Sequence, residues 1–238
     1  MSPLPHVLIS SPIRNRAWIL PEFLAAIEAL DYDSDRLSYY FLANDCADDS
    51  AAILRAWCAR RAAVIEEVDT GIVGWNRYAR PHYDYGNLAN LRNRILARFL
   101  REDASHLFSV DSDVIVRTDT LRALVEADQP VVAAVIANLP GVPVERCPAR
   151  NYLFWDGHNY RHGADLPPGL CQVDVTGAVY LIRRDVVASG ARYSGGAQGE
   201  DIGFCEAARQ RGFHLFIHGG VRCEHRMDDP WQGQRRPR

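Results

Sequence analysis

The 238-residue chain has no lysine; all 27 of its basic residues are arginines. A lysine Schiff base is therefore excluded, and with it ordinary pyridoxal-phosphate chemistry, as is the GK[ST] phosphate loop of most nucleotide hydrolases. Basic surface is scarce as well. Against 30 Asp and Glu the formal net charge is −3, and the basic cluster is the tail Arg235, Arg236 and Arg238, so no nucleic-acid partner is expected. No apolar stretch approaches the roughly 18 residues of a membrane span. The opening MSPLPHVLISSP is interrupted too quickly for a signal peptide, and a soluble, cytoplasmic protein is expected. The six cysteines form no C-x-x-C pair, and their irregular gaps point to reduced thiols instead of a zinc ribbon or disulfide scaffold.

What is present, 47% hydrophobic and 24% charged residues, fits one globular domain. Its first half alternates strand and helix patterns. His6 to Ser10, Leu37 to Ala43, Ala63 to Val68, His106 to Val110 and Val131 to Ala137 read as strands. Between them lie helices opened by Pro21, by Asp49 or Ser50 as cap, near Asn87, and by Thr118. The helix from about Asn87 to Arg101 is the strongest, with Leu88, Leu91, Ile95, Leu96 and Phe99 at helical spacing. This rhythm predicts an α/β fold with a mostly parallel sheet and flanking helices. After residue 139, prolines and an Asp156-Gly157 turn predict a smaller antiparallel portion, with a strand Val173 to Arg183 broken at Gly177. A helix from Asp201 to Arg211 ends at Gly212, and His214 to His218 is the last strand. The expected organisation is a nucleotide-binding half (1–138), an acceptor and catalytic half (139–226) and a flexible tail (227–238). The long segment 69–87, with Trp75, Tyr78, His82, Tyr83 and Tyr85, is either a lid or a self-packed surface loop.

Ligands of such sheets bind beyond the carboxyl ends of the strands, so the polar residues there carry the chemistry. Asp111-Ser112-Asp113 follows an apolar strand and puts two carboxylates at one strand end. Hard oxygen ligands of this kind suit Mg²⁺ or Mn²⁺ that also holds phosphates; the alternative is a plain surface turn. Gly199-Glu200-Asp201 opens a helix, where carboxylates either cap the dipole or serve as a general base. His225 is either structural or a metal ligand. The arginines of Leu91-Arg92-Asn93-Arg94 are either solvated and paired or reach a pyrophosphate.

Taken in order, SPIRNR, ANDCADDS, NLANLRNRIL, FSVDSDVIV, DVTGAVYLIRR, GEDIGFCEAARQRGF and VRCEH resemble the GT-A-fold glycosyltransferases, particularly the family 2 type, from Val7 to His225. The resemblance implies a metal-dependent transfer of a sugar from a nucleotide-diphosphate sugar, UDP-sugar favoured, to the hydroxyl of a small-molecule or glycan acceptor, with inversion. It implies that Asp113 binds Mn²⁺ or Mg²⁺, with Asp111 assisting or touching the ribose and His225 completing the set. Asn44 or Asp45 would recognise the base, Pro12 and Arg14 would line the nucleotide, and Arg92 would contact it. Asp201 would be the catalytic base with Glu200 beside it. The first loop reads PIRNR where the family usually has aromatic-Asn-Glu. A homodimer is possible. Two alternatives from other classes stand beside this reading: a sugar-nucleotide nucleotidylyltransferase, and a non-catalytic nucleotide-sugar-binding protein.

Overall fold

The computed structural model describes residues 4–71, 84–196 and 199–227. The expectations for a lid centred on Trp75 to Tyr83 and for a flexible tail lie outside these described residues, apart from the ends of each segment.

In chain order the elements are β1 (Val7–Ile13), α1 (Leu20–Glu28), β2 (Leu37–Asn44), α2 (Ser50–Cys58), β3 (Ala63–Val68), α3 (Tyr85–Phe99), β4 (His106–Val110), β5 (Val114–Ile115), α4 (Thr120–Glu126) and β6 (Val131–Val135). There follow β7 (Tyr152–Trp155), β8 (Tyr160–His162), β9 (Leu170–Val173), β10 (Val175–Thr176), β11 (Val179–Arg183), α5 (Arg184–Ala188), α6 (Glu200–Arg209), β12 (Leu215–Arg222) and β13 (Glu224–His225).

An eight-stranded sheet in the order β3-β2-β1-β4-β11-β6-β12-β9 forms the centre. Strands β3, β2, β1, β4, β6 and β12 run one way, while β11 and β9 run against them. Because successive side chains of a strand point to opposite faces, an apolar run supplies two cores at once. Ile9, Phe41 and Val132 pack with Phe23, Ile27, Trp57 and Leu121 of α1, α2 and α4. Leu8, Leu42 and Val131 pack on the other face with Leu91, Ile95, Phe99 and Phe204 of α3 and α6. Helices thus cover both faces, and every residue of β6 is buried.

Three differences from the sequence reading matter for the site. The predicted strand Val173–Arg183 is in fact three pieces. β9 sits at the sheet edge, β10 joins β7 and β8 in a small antiparallel sheet, and β11 enters the sheet centre. The break spans Gly177 and Ala178, the latter at φ +67°. The last strand also continues past His218 through a bulge at Gly219–Val221, where a register shift interrupts the pairing with β6. A Cβ on Gly219 would lie 1.7 Å from the Pro167 carbonyl, so only glycine fits that turn. Beyond the bulge, β13 pairs with β5, His225 opposite Val114. Finally, neither candidate caps α2 by its side chain: Asp49 occupies the cap position without a side-chain bond, and Asp48 accepts from the Ser50 amide at 3.0 Å. The Ser50 hydroxyl instead accepts from the Arg16 amide at 2.7 Å, tying the turn after β2 to the loop after β1. All six cysteines are free, and among the described residues no helix is long and apolar enough to cross a membrane.

Candidate active site

The carboxyl ends of β1, β2, β4, β6 and β12 open on one cavity of about 440 Å³, and the Gly177–Ala178 corner that leads into β11 closes its floor. Pro12, Arg14, Asn44, Arg92, Asp111, Asp113, Glu200, Asp201 and His225 all line it. Asp45 does not appear in that lining. It turns away at φ +46° and accepts hydrogen bonds from the Thr70 amide at 2.9 Å and the Thr70 hydroxyl at 2.6 Å. Burial raises the proton affinity of Asp45, but those bonds, the Asn44 amide and the Arg14 charge outweigh it, and its pKa is lowered. Asn87 in the first turn of α3 donates to the same Thr70 hydroxyl at 3.2 Å, so the two ends of the 69–87 segment meet beside Asp45.

At the β4 end, the two-residue ladder between β5 and β13 brings residue 225 to residue 113. The Arg226 amide donates to the Asp113 carbonyl at 2.8 Å. The His225 Nδ1 lies 3.1 Å from the Ala137 carbonyl, which can only accept, so Nδ1 carries the proton and Nε2 faces the Asp113 carboxylate at 3.5 Å. The second carboxylate oxygen of Asp113 accepts from the Arg16 guanidinium at 3.1 Å. Burial alone would raise the pKa of Asp113, yet Arg16 and His225 pull it below the ordinary carboxylate range. His225 moves the other way: burial opposes its charge, and the Asp113 and Asp111 carboxylates raise its pKa overall.

This donor set can be weighed for Mn²⁺ or Mg²⁺. Among the described residues no group of three His, Cys, Asp or Glu side chains converges closely enough to enclose a metal. The facing carboxylate of Asp113 and deprotonated Nε2 of His225 nevertheless fit two positions of a hard cation, and such cations in transferase sites take their remaining ligands from substrate phosphates and water. Asp111 is less available, because it is held by Arg92.

Arg92, read from the sequence as either solvated and paired or reaching a pyrophosphate, is buried and paired. It is 3% exposed, donates from Nη2 to Asp111 at 2.6 Å and from Nε to Glu200 at 2.9 Å, and reaches Ser109 of β4 at 3.4 Å. One guanidinium therefore joins α3, β4 and the start of α6. Its detectable signal lay in the helical spacing: residue 92 falls in the apolar stripe with Leu88, Ile95 and Phe99, where a charge has to be buried and paired.

Asp201 sits over the floor, half-buried in the first turn of α6. Tyr180 of β11 donates to it at 3.0 Å, and the Tyr193 hydroxyl in turn makes a short hydrogen bond with that of Tyr180. Burial is the largest influence on Asp201; together with the Glu200 charge it raises the pKa to about 8, against the opposing pull of Arg92. A Cβ on Gly177 would lie 2.0 Å from the Asp201 carboxylate, so the absence of a side chain there admits the acid. Asn151 fastens this corner by donating to the carbonyls of Ala134 and Gly177, both at 2.9 Å. The sequence does not mark Tyr180, Tyr193 and Asn151 as contacts of the site, and for Arg16, within the segment after β1 that it does single out, it does not name Asp113 as the partner that the fold supplies.

Comparison with known proteins agrees with this architecture. A glycosyltransferase 25 family member of Anopheles gambiae is 27% identical over 149 residues, 57% of this chain and 24% of that protein. Procollagen galactosyltransferase 1-B of Xenopus laevis is 27% identical over 141 residues, 56% of this chain and 23% of its own length. A Bos taurus protein described as a probable inactive glycosyltransferase 25 family member 3 is 30% identical over 146 residues, 56% of the chain and 24% of that protein. The chain thus spans about a quarter of the length of these curated relatives. Among solved structures, the mannosyltransferase PcManGT from Pyrobaculum calidifontis, in complex with GDP-Man and Mn²⁺, superposes with a TM-score of 0.64 at 16% identity, covering 98% of this chain and 59% of that one. S. aureus TarS 1-349 in complex with UDP-GlcNAc does so with a TM-score of 0.64 at 12% identity, covering 96% and 61%. The fold is GT-A. The sequence profile of the glycosyltransferase family 25 N-terminal domain matches residues 4–139, which include Arg92, Asp111 and Asp113 and stop short of Asp201 and His225. Because that profile matches more than half of this chain, it gives the family: the chain belongs to glycosyltransferase family 25, through its N-terminal domain.

Proposed function

We propose that the chain transfers a sugar from a nucleotide-diphosphate sugar, with UDP-sugar as the favoured donor, to the hydroxyl of a small-molecule or glycan acceptor. One observation carries the reading: residues 92, 111, 113, 200, 201 and 225, distant in sequence, line a single cavity. The family supports it, as do the donors bound by PcManGT and TarS. In this reading residues 1–138 hold the nucleotide and 139–226 the acceptor.

Asp113 and His225 would hold a divalent metal, whose charge would offset that of the departing diphosphate. Asn44, Pro12 and Arg14 line the nucleotide end of the cleft in this reading. Arg92 fixes Asp111 and Glu200, so the carboxylates around the donor keep their positions as charge shifts. Asp201 accepts the proton of the acceptor hydroxyl while that oxygen bonds to the anomeric carbon and the nucleoside diphosphate departs from the opposite face. The product is inverted. A base whose pKa lies near the working pH is suited to this step, and the elevated pKa of Asp201 supports the assignment. The competing reading, a non-catalytic nucleotide-sugar-binding protein, draws on the relative described as probably inactive and on the Arg16 contact that occupies one oxygen of Asp113.

Isothermal titration with UDP, GDP and dTDP in Mn²⁺, followed by product detection with the corresponding sugar nucleotides, tests the proposal. Saturable UDP binding with sugar transfer or donor hydrolysis supports it. Binding without turnover for any donor favours the non-catalytic reading, and no nucleotide binding at all defeats both.

A further inference from the structure

The described residues enclose a second cavity, of about 350 Å³, between the β7–β8 hairpin and the start of α6. That volume falls within the roughly 300–1,000 Å³ of small-ligand sites. One wall is aromatic. Trp155 is 47% exposed, and its ring meets that of Tyr160 edge-on at 5.0 Å between centroids. The platform is fixed from below: the Trp155 amide donates to Asp174 at 2.7 Å, and the Tyr160 hydroxyl donates to Glu206 of α6 at 2.8 Å. The hairpin turn adds His158 and Asn159 to the rim, their amides tied to Asp156 at 2.9 and 2.7 Å.

Two acids beside the cavity are paired. Asp156 pairs with Arg161 at 2.9 Å and Asp174 with Arg209 at 2.8 Å. Such a surface offers a flat apolar face and hydrogen-bonding groups, with the Glu206 carboxylate as its acid, a setting that disfavours an anion. A pyranoside matches both properties, its C–H face against the indole and its hydroxyls toward the rim. The location adds a link to the chemistry, because Gly199 and Ile202 line both cavities and bracket Glu200 and Asp201.

We propose that the Trp155 cavity is a saccharide subsite that seats the acceptor, a neutral glycoside, beside Asp201. The acceptor role rests on the transferase reading above; saccharide binding at Trp155 does not. The test titrates lactose and cellobiose, without donor, into the wild-type protein and into Trp155→Ala and Trp155→Phe variants, and separately titrates UDP with Mn²⁺ into all three. Saturable binding of at least one disaccharide is expected in the wild type, weakened about tenfold by Trp155→Ala and largely kept by Trp155→Phe, with UDP binding unchanged throughout. Transfer to a saccharide acceptor should then fall by a similar factor in Trp155→Ala while donor hydrolysis by water is unaltered. Absence of saturable binding of either disaccharide in the wild type overturns the proposal, as does equal binding in Trp155→Ala. Disaccharide binding through Trp155 in a protein that binds no nucleotide would uphold the saccharide site and defeat the transferase reading instead.

Discussion

Two carboxylates of one cleft, Asp113 beside β4 and Asp201 at the start of α6, are held in opposite ways. Asp113 has a guanidinium at 3.1 Å and an imidazole at 3.5 Å for neighbours, and its pKa falls. Asp201 has burial, the Glu200 carboxylate and a neutral phenol for neighbours, and its pKa rises to about 8. Environments that separate the proton affinities of similar groups also separate their tasks. The permanently ionised acid suits a cation and diphosphate, and the proton-accepting one suits the acceptor hydroxyl. Arg92 spans the gap between them, joining Asp111 to Glu200.

The largest expected effect comes from removing the basic end. Asp201→Asn should lower transfer by about 10²- to 10⁴-fold with UDP affinity kept, measured by product formation and calorimetry. Unchanged turnover would reassign the base. At the other end, Asp113→Ala should weaken Mn²⁺-dependent UDP binding by about ten- to a hundredfold, the loss of a charge-assisted contact, and a wild-type metal titration would refute its role. Next in size, Gly177→Ala should cost about 1–3 kcal/mol in chemical unfolding and depress turnover, because the added methyl displaces Asp201. Stability close to that of the wild type would show that the corner yields.

The comparison also has a pH signature. The folded pKa of Asp113 lies below its unfolded value of about 3.8, so its stabilisation is present above that pH and is lost as the pH falls further. Asp201 behaves in reverse: its folded pKa exceeds the unfolded value, so stability declines as the pH rises from about 4 to about 8. Asp201→Asn should therefore gain thermal stability relative to the wild type at pH 8 and not at pH 4; equal differences at both would contradict the raised pKa. The smallest effect belongs to Tyr180→Phe. Loss of its hydrogen bond should shift the acidic limb of the pH–rate profile upward and reduce turnover only severalfold, whereas a purely structural role would leave the limb in place.

Much of this arrangement is written locally in the sequence. The alternation of apolar runs and amphipathic helices is enough to place β1 to β4 and β6, and the DSD and GED motifs fall at a strand end and a helix start because those residue types terminate such elements. Other parts depend on long-range packing. The two-residue ladder that seats His225 is too short for any periodicity, and the Gly219–Val221 bulge disguises the strand leading to it. Asn15, Asp45 and Ala178 adopt positive φ at three strand ends around the cleft, and only for the first two does the residue type hint at it. Arg16 looks like any loop arginine until Ser50 fixes its backbone and Asp113 meets its side chain.

The most direct measurement is a calorimetric titration of UDP, with and without Mn²⁺, into the wild type, Asp113→Ala and Asp201→Asn. Division of labour between the two acids predicts metal-dependent binding that is lost in Asp113→Ala and preserved in Asp201→Asn. Binding indifferent to Mn²⁺, or weakened equally by both substitutions, would contradict it.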